Sequence, residues 1–330
     1  MKKLLIVANK KSILTNKLQN LVGDYFDNAK ILDNSTFSLF SPIKLFKSIK
    51  SARKIILSYK PSFIILYQIE VASFFITIIN KKFNIPTLVV GIGSDILTVP
   101  GKSIFHKFIA TYVIRHNIYF NAGSIAIKEK MITFAKKPIN IVLANLGTDD
   151  ILPLKKQNII FSNRLHKPIY NIDKIIQAFA VFVNNPQRKD WRLVIAAEGN
   201  EKELKTQVKK LNIEKNVDFV SWLDKQKNAY YYGISKIWIS LPKSDSISIS
   251  LLEAMSAECI PIVYNVPAIK GFLNNNNAVI INSFEGNFIE KALHMDNLVL
   301  ATNRRLAREF SDKNINKQKF YGIFDKALNE

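Results

Sequence analysis

The chain has 330 residues, 48% of them hydrophobic, and a formal net charge of +21. This length exceeds one typical domain and favours two, each with a core of its own. The single cysteine, Cys259, excludes an internal disulfide. A strong positive charge points to an anionic partner: a nucleic acid, a membrane surface or an anionic substrate.

The apolar segments are too short to cross a membrane. The longest, Phe63–Ile79, is interrupted by Gln68 and Glu70, whereas a spanning helix needs about twenty predominantly apolar residues. The first run, Leu4–Ala8, is too short for the core of a signal peptide. We therefore expect a cytoplasmic protein, either free or attached peripherally to the inner face of the cell membrane.

Strand and helix patterns alternate along the first half of the chain. Short apolar runs predict strands at Lys3–Ala8, Ala29–Leu32, Phe63–Tyr67, Thr87–Gly91, Ile118–Asn121 and Asn140–Leu143. Helical periodicity between them predicts helices at Ser12–Phe26, Pro42–Tyr59, Ala72–Lys81, Ile104–Arg115 and Ser124–Phe134. This alternation is typical of a parallel, doubly wound sheet.

The alternation restarts in the second half. Strands are predicted at Asn158–Phe161, Trp191–Ala197, Val217–Val220, Lys236–Leu241, Ile260–Tyr264 and Ala278–Ile281. Helices are predicted at Ile172–Asn184, Lys202–Leu211, Gln226–Ile234 and Leu251–Ala257, and further helices follow to Leu328. We predict an α/β protein with two Rossmann-like domains facing a central cleft, residues 1–153 and 154–310. A C-terminal helix in residues 311–330 is expected to pack back on the first domain.

The positive charge is concentrated in the first domain. Between Asn34 and Lys128 the sequence has twelve basic residues but only two acids, Glu70 and Asp95. Five of the bases lie in the amphipathic helix predicted at Pro42–Tyr59, namely Lys44, Lys47, Lys50, Arg53 and Lys54. One interpretation is a surface attracted to anionic lipid, at about 1 kcal/mol per basic side chain. The other is a solvated face without a partner. The neighbouring Phe46, Phe105 and Phe108 favour the membrane.

Several common binding and catalytic motifs are missing. No histidine has a partner at metal-ligand spacing among His106, His116, His166 and His294, so we expect no metal site and no cofactor. The sequence contains neither a P-loop nor a G-x-S-x-G turn. No glycine follows the first strand, where the chain reads ANKKSILTN, which argues against a dinucleotide-dependent dehydrogenase.

Two acids stand out between Ile239 and Gly271, a stretch with the pattern strand, polar loop, helix, strand. Asp245 lies in the loop and Glu253 in the helix, with seven residues between them. In a βαβ unit, this loop and the helix N-terminus face the crevice where ligands bind, and free amides there suit a phosphate. Glu253 also has a structural interpretation, because SLLE fits a capping box with Ser250 at the N-cap and Glu253 at N3. The spacing leaves both open.

The sequence around these acids, PKSDSISISLLEAMSAECIPIVYNVPAIKGFL, resembles the donor-binding region of GT-B glycosyltransferases of family 4. That family has an acid, seven residues and a glutamate in an L-L-E-A-M context, followed by a later proline. Three more segments resemble the family in the expected order: NLGTDDILP (Asn145–Pro153), FSNRLHKPIYNIDKIIQAF (Phe161–Phe179) and LVIAAEGNEKELK (Leu193–Lys205), the last with Ala197 in place of a glycine. GIGSD (Gly91–Asp95) resembles an acceptor-side loop of some members.

The resemblance implies a role for each matching residue. Glu253 would bind the ribose of the donor nucleotide, Asp245 the hydroxyls of the transferred sugar, and Arg164 the diphosphate. Asp95 would contact the acceptor or the donor sugar; the alternative for Asp95 is a helix N-cap after its strand. Lys167 or Tyr170 would take the place of a lysine that the family has near the arginine. The other donor-binding candidates are Glu198, Ser246, Ser248, Ser250 and Leu251.

The function implied is a retaining, metal-independent hexosyltransferase with a UDP- or GDP-sugar as donor substrate. The departing diphosphate would help to deprotonate the acceptor, so no dedicated base is required. With the basic first domain, we expect a lipid-linked or cell-surface glycan acceptor, such as a precursor of lipopolysaccharide, O-antigen or capsule. The alternatives are a GT-B sugar-nucleotide epimerase and a basic nucleic-acid-binding protein. No helix-turn-helix or aromatic-basic sheet motif supports the latter, so no nucleic-acid partner is expected.

Overall fold

The computed structural model describes all 330 residues, which form two compact units. The first unit consists of Met1–Gly147 together with Asp312–Glu330, and the second of Thr148–Ser311. Each unit contains one six-stranded sheet, and every strand pair is parallel. The predicted fold class, two Rossmann-like α/β domains, is confirmed.

The strands fall where the alternating pattern predicted them. Those of the first unit are β1 Lys3–Ala8, β2 Asn28–Asp33, β3 Phe63–Tyr67, β4 Thr87–Gly91, β5 Tyr119–Ala122 and β6 Asn140–Leu143. Those of the second unit are β7 Gln157–Ser162, β8 Arg192–Ile195, β9 Val217–Phe219, β10 Ser235–Ser240, β11 Ile260–Tyr264 and β12 Val279–Ile281. The orders across the sheets are β2-β1-β3-β4-β5-β6 and β12-β11-β10-β7-β8-β9.

The helices connect successive strands. They are α1 Ile13–Val22, α2 Pro42–Tyr59, α3 Val71–Asn80, α4 Ser94–Leu97, α5 Val99–Lys102, α6 Ile104–Arg115, α7 Ile125–Ala135, α8 Ile172–Val183, α9 Glu201–Lys210, α10 Lys225–Ile234, α11 Ile249–Ser256, α12 Phe288–Ala292, α13 Asn297–Ser311 and α14 Lys313–Asn329. The first is shorter than predicted, because Gly23 begins a separate 3₁₀ turn, and the two short helices α4 and α5 were not predicted. No helix combines the length and the apolar character that crossing a bilayer needs.

The first sheet is covered on both faces, as its continuous apolar strands require. Leu5, Ile64 and Val89 point to one face, which is covered by α2, α3, α6 and α7. Leu4 and Ile65 point to the other face, which is covered by α1 and α14. The last helix of the chain therefore completes the core of the first unit.

The second sheet is covered in the same way. Ile160 and Ile237 lie in a core formed with α8, α9 and α12. Phe161, Val194 and Trp238 lie in a core formed with α10, α11 and α13. The alternating strands and helices thus give each sheet an apolar layer on both faces. The polar residues lie where the strands end.

Candidate functional site

The strand order of the second sheet reverses between β7 and β10. The chain leaves β7 through Asn163 and Arg164, and it leaves β10 through a polar loop that ends at Ser248, where α11 begins. Because the connections from these two strands lead to opposite sides of the sheet, a crevice opens at their carboxyl ends. In open parallel sheets this switch point is where ligands bind.

Arg164 and Asp245 meet at this switch point. The Nη2 atom of Arg164 lies 2.6 Å from Oδ2 of Asp245, and their side chains are 10% and 21% exposed. The guanidinium also lies over the ring of Tyr170, 4.5 Å from its centroid. Burial raises the pKa of the Asp245 carboxyl, and the neighbouring guanidinium partly offsets this. The structure therefore brings together three predicted residues and orients the guanidinium on two sides.

The N-terminus of α11 differs from the prediction. Ser248 is the N-cap, and its Oγ accepts a hydrogen bond from the amide of Leu251, 3.2 Å away. The predicted capping box, with Ser250 at the N-cap and Glu253 at N3, is wrong. A serine two residues earlier has the extended backbone and the hydroxyl that an N-cap needs, so the helix starts sooner. Glu253 consequently lies in the second turn.

Glu253 lines a cavity of about 550 Å³ within the second unit. One wall of this cavity is helix α10, and the other is the segment 149–154. A volume of this size suits a small ligand such as a nucleoside. Polar wall residues include Asn228 and Lys225, and Lys225 forms an ion pair with Asp149 at 2.7 Å.

A partly buried polar cluster connects the surroundings of Glu253 with the turn after β7. The Nδ2 atom of Asn163 donates to the hydroxyl of Tyr232 at 2.7 Å and to Oδ1 of Asn228 at 3.0 Å. Burial raises the pKa of Tyr232 well above its ordinary value, and the charge of Glu253 adds to this effect. Asn163 immediately precedes Arg164, so the cluster ties the arginine-bearing turn to α10.

The other donor-binding candidates differ in how they are presented. Lys167 and Glu198 are exposed, and Ser246 and Ser250 are half-buried. The amide of Ser246 donates to Oδ1 of Asp245 at 2.9 Å. Leu251 has its side chain in the core, and its amide is already bonded to the N-cap serine, so its part in ligand binding remains a prediction.

His166 is a buried residue of this edge that the sequence did not single out. Its Nε2 lies 3.2 Å from the carbonyl oxygen of Ala196, while its Nδ1 has no hydrogen-bond partner. A Cβ atom added to Gly199 would lie 2.5 Å from Cβ of His166, so the tight contact requires glycine. The only sequence signal was the position of His166, two residues after Arg164.

The turn after β8 keeps a glycine-like backbone without the glycine. Ala197 has a φ of 83°, in the region where a side chain costs roughly 1–2 kcal/mol. The amide of Ala197 donates to the carbonyl of Ser221 at 2.7 Å, which helps to hold this conformation. Alanine in place of the family's glycine thus strains the turn but does not change its positive-φ backbone.

In the first unit, Asp95 is 1% exposed and surrounded by backbone amides. Its Oδ2 accepts from Ile69 at 2.9 Å, and its Oδ1 accepts from Ile92 at 3.1 Å and from Gly93 at 2.9 Å. Burial raises its pKa to about 6, although these amides act in the opposite direction. Asp95 therefore organises the loops after β3 and β4. A contact between Asp95 and a sugar stays a prediction.

The five basic residues predicted as a membrane or acceptor surface lie on α2. Lys44, Lys47, Lys50, Arg53 and Lys54 are all exposed. Elsewhere, no group of three or more His, Cys, Asp or Glu side chains is arranged to hold a metal ion.

Two Rossmann-like units, each built on a six-stranded parallel sheet, are the architecture of GT-B proteins. The family model described as glycosyl transferases group 1 matches residues 149–319, more than half of the chain. The protein belongs to this family, glycosyltransferase family 4, whose members are retaining enzymes that use nucleotide-sugar donors. Membership of this family shows that the chain is a glycosyltransferase with a nucleotide-sugar donor, but it does not identify the acceptor.

Solved structures of low sequence identity share the fold over almost the entire chain. HepE from Anabaena, in complex with UDP and glucose, is 12% identical with a TM-score of 0.76, over 99% of this chain and 100% of that one. Sucrose-phosphate synthase from Thermosynechococcus elongatus is 10% identical with a TM-score of 0.80, over 100% of both. The lipopolysaccharide outer core galactosyltransferase WaaB is 14% identical with a TM-score of 0.67, over 98% and 99%. Curated protein sequences gave no significant match.

Proposed function

We propose that this glycosyltransferase moves a hexose from a UDP-sugar to a lipid-linked or cell-surface glycan precursor. The second unit would bind the donor, and the first unit would bind the acceptor. The observation that carries the donor assignment is the Arg164–Asp245 pair at the switch point between β7 and β10. Both residues were expected from the sequence to contact the donor, and they are 81 positions apart in the chain.

Arg164 is the residue to which we assign stabilisation of the leaving group. Negative charge builds on the diphosphate as the bond to the sugar breaks, and a fixed guanidinium nearby lowers the energy of that state. The ring of Tyr170 and the carboxylate of Asp245 hold the guanidinium in place. A guanidinium that is positioned before the donor binds does not have to reorganise during the reaction.

Asp245 is assigned to hydroxyls of the transferred sugar. One of its oxygens bonds to Arg164 and the other accepts the amide of Ser246, and each oxygen can accept a second hydrogen bond. With retention of configuration, the acceptor approaches on the face that the diphosphate leaves. A departing phosphate oxygen would take the acceptor proton, so no side chain in this proposal acts as the base.

Glu253 is assigned to the ribose of the donor. It lines the 550 Å³ cavity beside α10, and a carboxylate can accept hydrogen bonds from both ribose hydroxyls. With the N-cap at Ser248, Glu253 lies in the second turn of α11 and lines the cavity wall. Lys167, Glu198, Ser246 and Ser250 remain candidates for phosphate or sugar contacts.

The donor is proposed to be a UDP-sugar because the HepE structures contain UDP or UDP-glucose. A GDP-sugar is the alternative from the sequence. A thermal-shift comparison of UDP, GDP and their glucose conjugates would distinguish them. A ligand at a hundred times its dissociation constant adds about 2.7 kcal/mol to the free energy of unfolding.

The donor assignment is tested by Glu253→Ala. We expect this variant to lose most of the stabilisation by UDP and to hydrolyse the donor sugar more slowly than the wild type. Glu203→Ala is the control, because Glu203 is an exposed glutamate on α9 of the same unit. Turnover of Glu253→Ala equal to that of the wild type would contradict the assignment. Product analysis with UDP-sugar alone would detect the alternative epimerase, which needs no acceptor.

A further inference from the structure

The outward side of α2 carries apolar side chains among its bases. Its inward side consists of Ser48, Ala52 and Ile56, which are buried. Exposed residues recur on the opposite side at three- and four-residue intervals: Ile43, Phe46, Lys47, Lys50, Lys54 and Leu57. Ile43 is 72% exposed and Phe46 is 68% exposed. The first turns of α2 thus present apolar groups to solvent, and the later turns present mainly lysines.

A second exposed apolar cluster lies at the first turn of α6. Ile104 is 89% exposed, Phe105 46% and Phe108 53%. Two exposed lysines, Lys102 and Lys107, flank them. This cluster repeats the combination found at the beginning of α2: large apolar side chains in solvent with basic residues beside them.

Helix α3 packs against both α2 and α6, so the three helices form one layer. Phe74 of α3 contacts Phe108, with ring centroids 5.7 Å apart, and Tyr112, at 4.8 Å. Each helix follows a strand of a parallel sheet and returns antiparallel to it. The first turns of α2 and α6 therefore lie at the same end of the unit, beside the carboxyl ends of the strands.

This layer presents no exposed acid. The only acids between Asn34 and Lys128 are Glu70 and Asp95. Glu70 is half-buried and accepts a hydrogen bond from Asn34, and Asp95 is buried among backbone amides. All the basic residues of this span except the half-buried Lys128 are exposed. The three helices therefore present no acid that would repel an anionic surface, and on the neighbouring α7 the exposed Glu129 stands beside the exposed Lys130.

We propose that the first turns of α2 and α6 form one membrane-docking surface. Phe40, Ile43, Phe46, Ile104 and Phe105 would enter the headgroup–acyl boundary of an anionic bilayer, and the lysines would contact its headgroups. Phe40, which precedes the N-cap residue of α2, is fully exposed. Amphipathic surfaces bind membranes through buried apolar area combined with attraction to anionic lipid. A nucleic acid would attract the basic residues but would gain nothing from the isoleucines, which neither stack on nucleobases nor accept hydrogen bonds.

The proposal extends the assignment of acceptor binding to the first unit, and its biological role rests on that part of the proposed function. A surface at the carboxyl end of the first sheet would present that edge to lipid-linked substrates in the bilayer. Vesicle binding is nevertheless independent of catalysis. Arg164→Ala, which affects only the donor side, is expected to bind vesicles as well as the wild type. The two proposals can therefore fail separately.

The electrostatic part is tested by co-sedimentation with vesicles of phosphatidylcholine containing about a third phosphatidylglycerol. The triple variant Lys44→Glu, Lys47→Glu and Lys50→Glu should bind roughly a hundredfold more weakly, because each removed base costs about a fivefold factor. The matched control carries Lys209→Glu, Lys210→Glu and Lys215→Glu, three exposed lysines of the second unit. It has the same net charge and should keep most of its binding.

The apolar part is tested by Ile104→Ser combined with Phe105→Ser. We expect this variant to bind vesicles at least roughly tenfold more weakly than the wild type. The loss should appear both at low salt and at 0.5 M salt, because salt screens charges but not apolar insertion. The control replaces two exposed apolar residues of the second unit, Val181→Ser and Leu298→Ser. UDP binding and thermal unfolding of every variant verify that it is folded.

Three results would overturn the proposal. The first is wild-type protein that does not sediment with anionic vesicles. The second is equal binding by the α2 charge variant and its control. The third is a double serine variant that binds vesicles like the wild type, because the apolar side chains would then contribute nothing to membrane binding.

Discussion

Asp95 and Asp245 follow strands of the two sheets at their carboxyl ends, yet they interact with different partners. Asp95 accepts three backbone amides and is almost inaccessible to solvent. Asp245 pairs with a side chain, Arg164, and keeps a fifth of its surface exposed. An acid held by amides fixes the loops around it, whereas an acid held by a side chain can share its oxygens with a ligand. The comparison contrasts a carboxylate that the backbone holds with one that a side chain holds, and the contact of either with a sugar stays a prediction.

The largest expected effect is that of Arg164→Ala on turnover. Removal of a group that stabilises developing charge typically costs a factor of roughly 10²–10³, so donor hydrolysis and transfer should fall by that amount. Arg192→Ala is the control, because Arg192 forms an exposed ion pair with Asp218 in the same unit. Steady-state kinetics with UDP-sugar measure both variants. A decrease of less than about threefold would remove Arg164 from the reaction.

The next prediction tests the contrast between Asp95 and Asp245 through the free energy of unfolding. Asp95→Ala leaves three buried amides without an acceptor, at about 1–3 kcal/mol each, and we expect the free energy of unfolding to fall by about 3 kcal/mol or more. Asp245→Ala loses the pair with Arg164 and the acceptor of the Ser246 amide at a site that is less buried, and it should cost less, about 2 kcal/mol. Urea unfolding monitored by circular dichroism measures both. Equal costs would mean that the two acids do not differ as the contacts indicate.

A smaller effect is expected at Tyr170, whose ring lies under the guanidinium of Arg164. A cation–π contact contributes about 1 kcal/mol, so Tyr170→Leu should lower turnover roughly fivefold through a less well held arginine. Tyr170→Phe keeps the ring and should restore near-normal turnover. If the phenylalanine variant is as slow as the leucine variant, the hydroxyl of Tyr170 contacts the donor and the ring is not what matters.

The last effect is a pH dependence at Glu70, another carboxylate beside Asp95. Burial raises the pKa of Glu70 from 4.5 to about 7, against the hydrogen bond from Asn34. The folded protein holds this proton more tightly than the unfolded chain, so the contribution to stability is full below pH 4.5 and decreases as the pH rises to 7. The free energy of unfolding of Glu70→Gln, minus that of the wild type, should therefore increase from pH 4.5 to pH 7 and remain constant above pH 7.

Unfolding of Glu70→Gln and wild type is compared at intervals from pH 4.5 to pH 8. The exposed Glu129 on α7 provides the control Glu129→Gln, for which no such trend is expected. Parallel stability curves for Glu70→Gln and the wild type would show that Glu70 does not titrate in this range.

The sequence predicted the sheets well because their strands are buried on both faces and read as continuous apolar runs. It was less reliable where single hydrogen bonds decide the outcome. Three serines stand near the start of α11, and the pattern alone did not tell which of them caps it. Similarly, the burial of Asp95 depends on loops after two strands that meet only in the folded chain.

The interior role of Lys156 was also beyond the sequence. This lysine precedes β7 at the predicted domain boundary, where an exposed charge is the ordinary expectation. Its Nζ donates to the carbonyls of Tyr232 at 3.2 Å, Ser235 at 2.8 Å and Ala257 at 2.6 Å. Carbonyls near the ends of α10 and α11 attract this cation. No local pattern indicates that two helix ends will converge on one side chain.

The position of α14 has a consequence for how the protein forms during synthesis. The second unit is one continuous segment, whereas the first needs residues from both ends of the chain. Phe320 and Phe324 of α14 are fully buried in the core of the first unit. A ribosome finishes the second unit before these two rings leave the exit tunnel. The half that begins first is therefore the half that is completed last, and until then the apolar surface under α14 is open to chaperones or to misassembly.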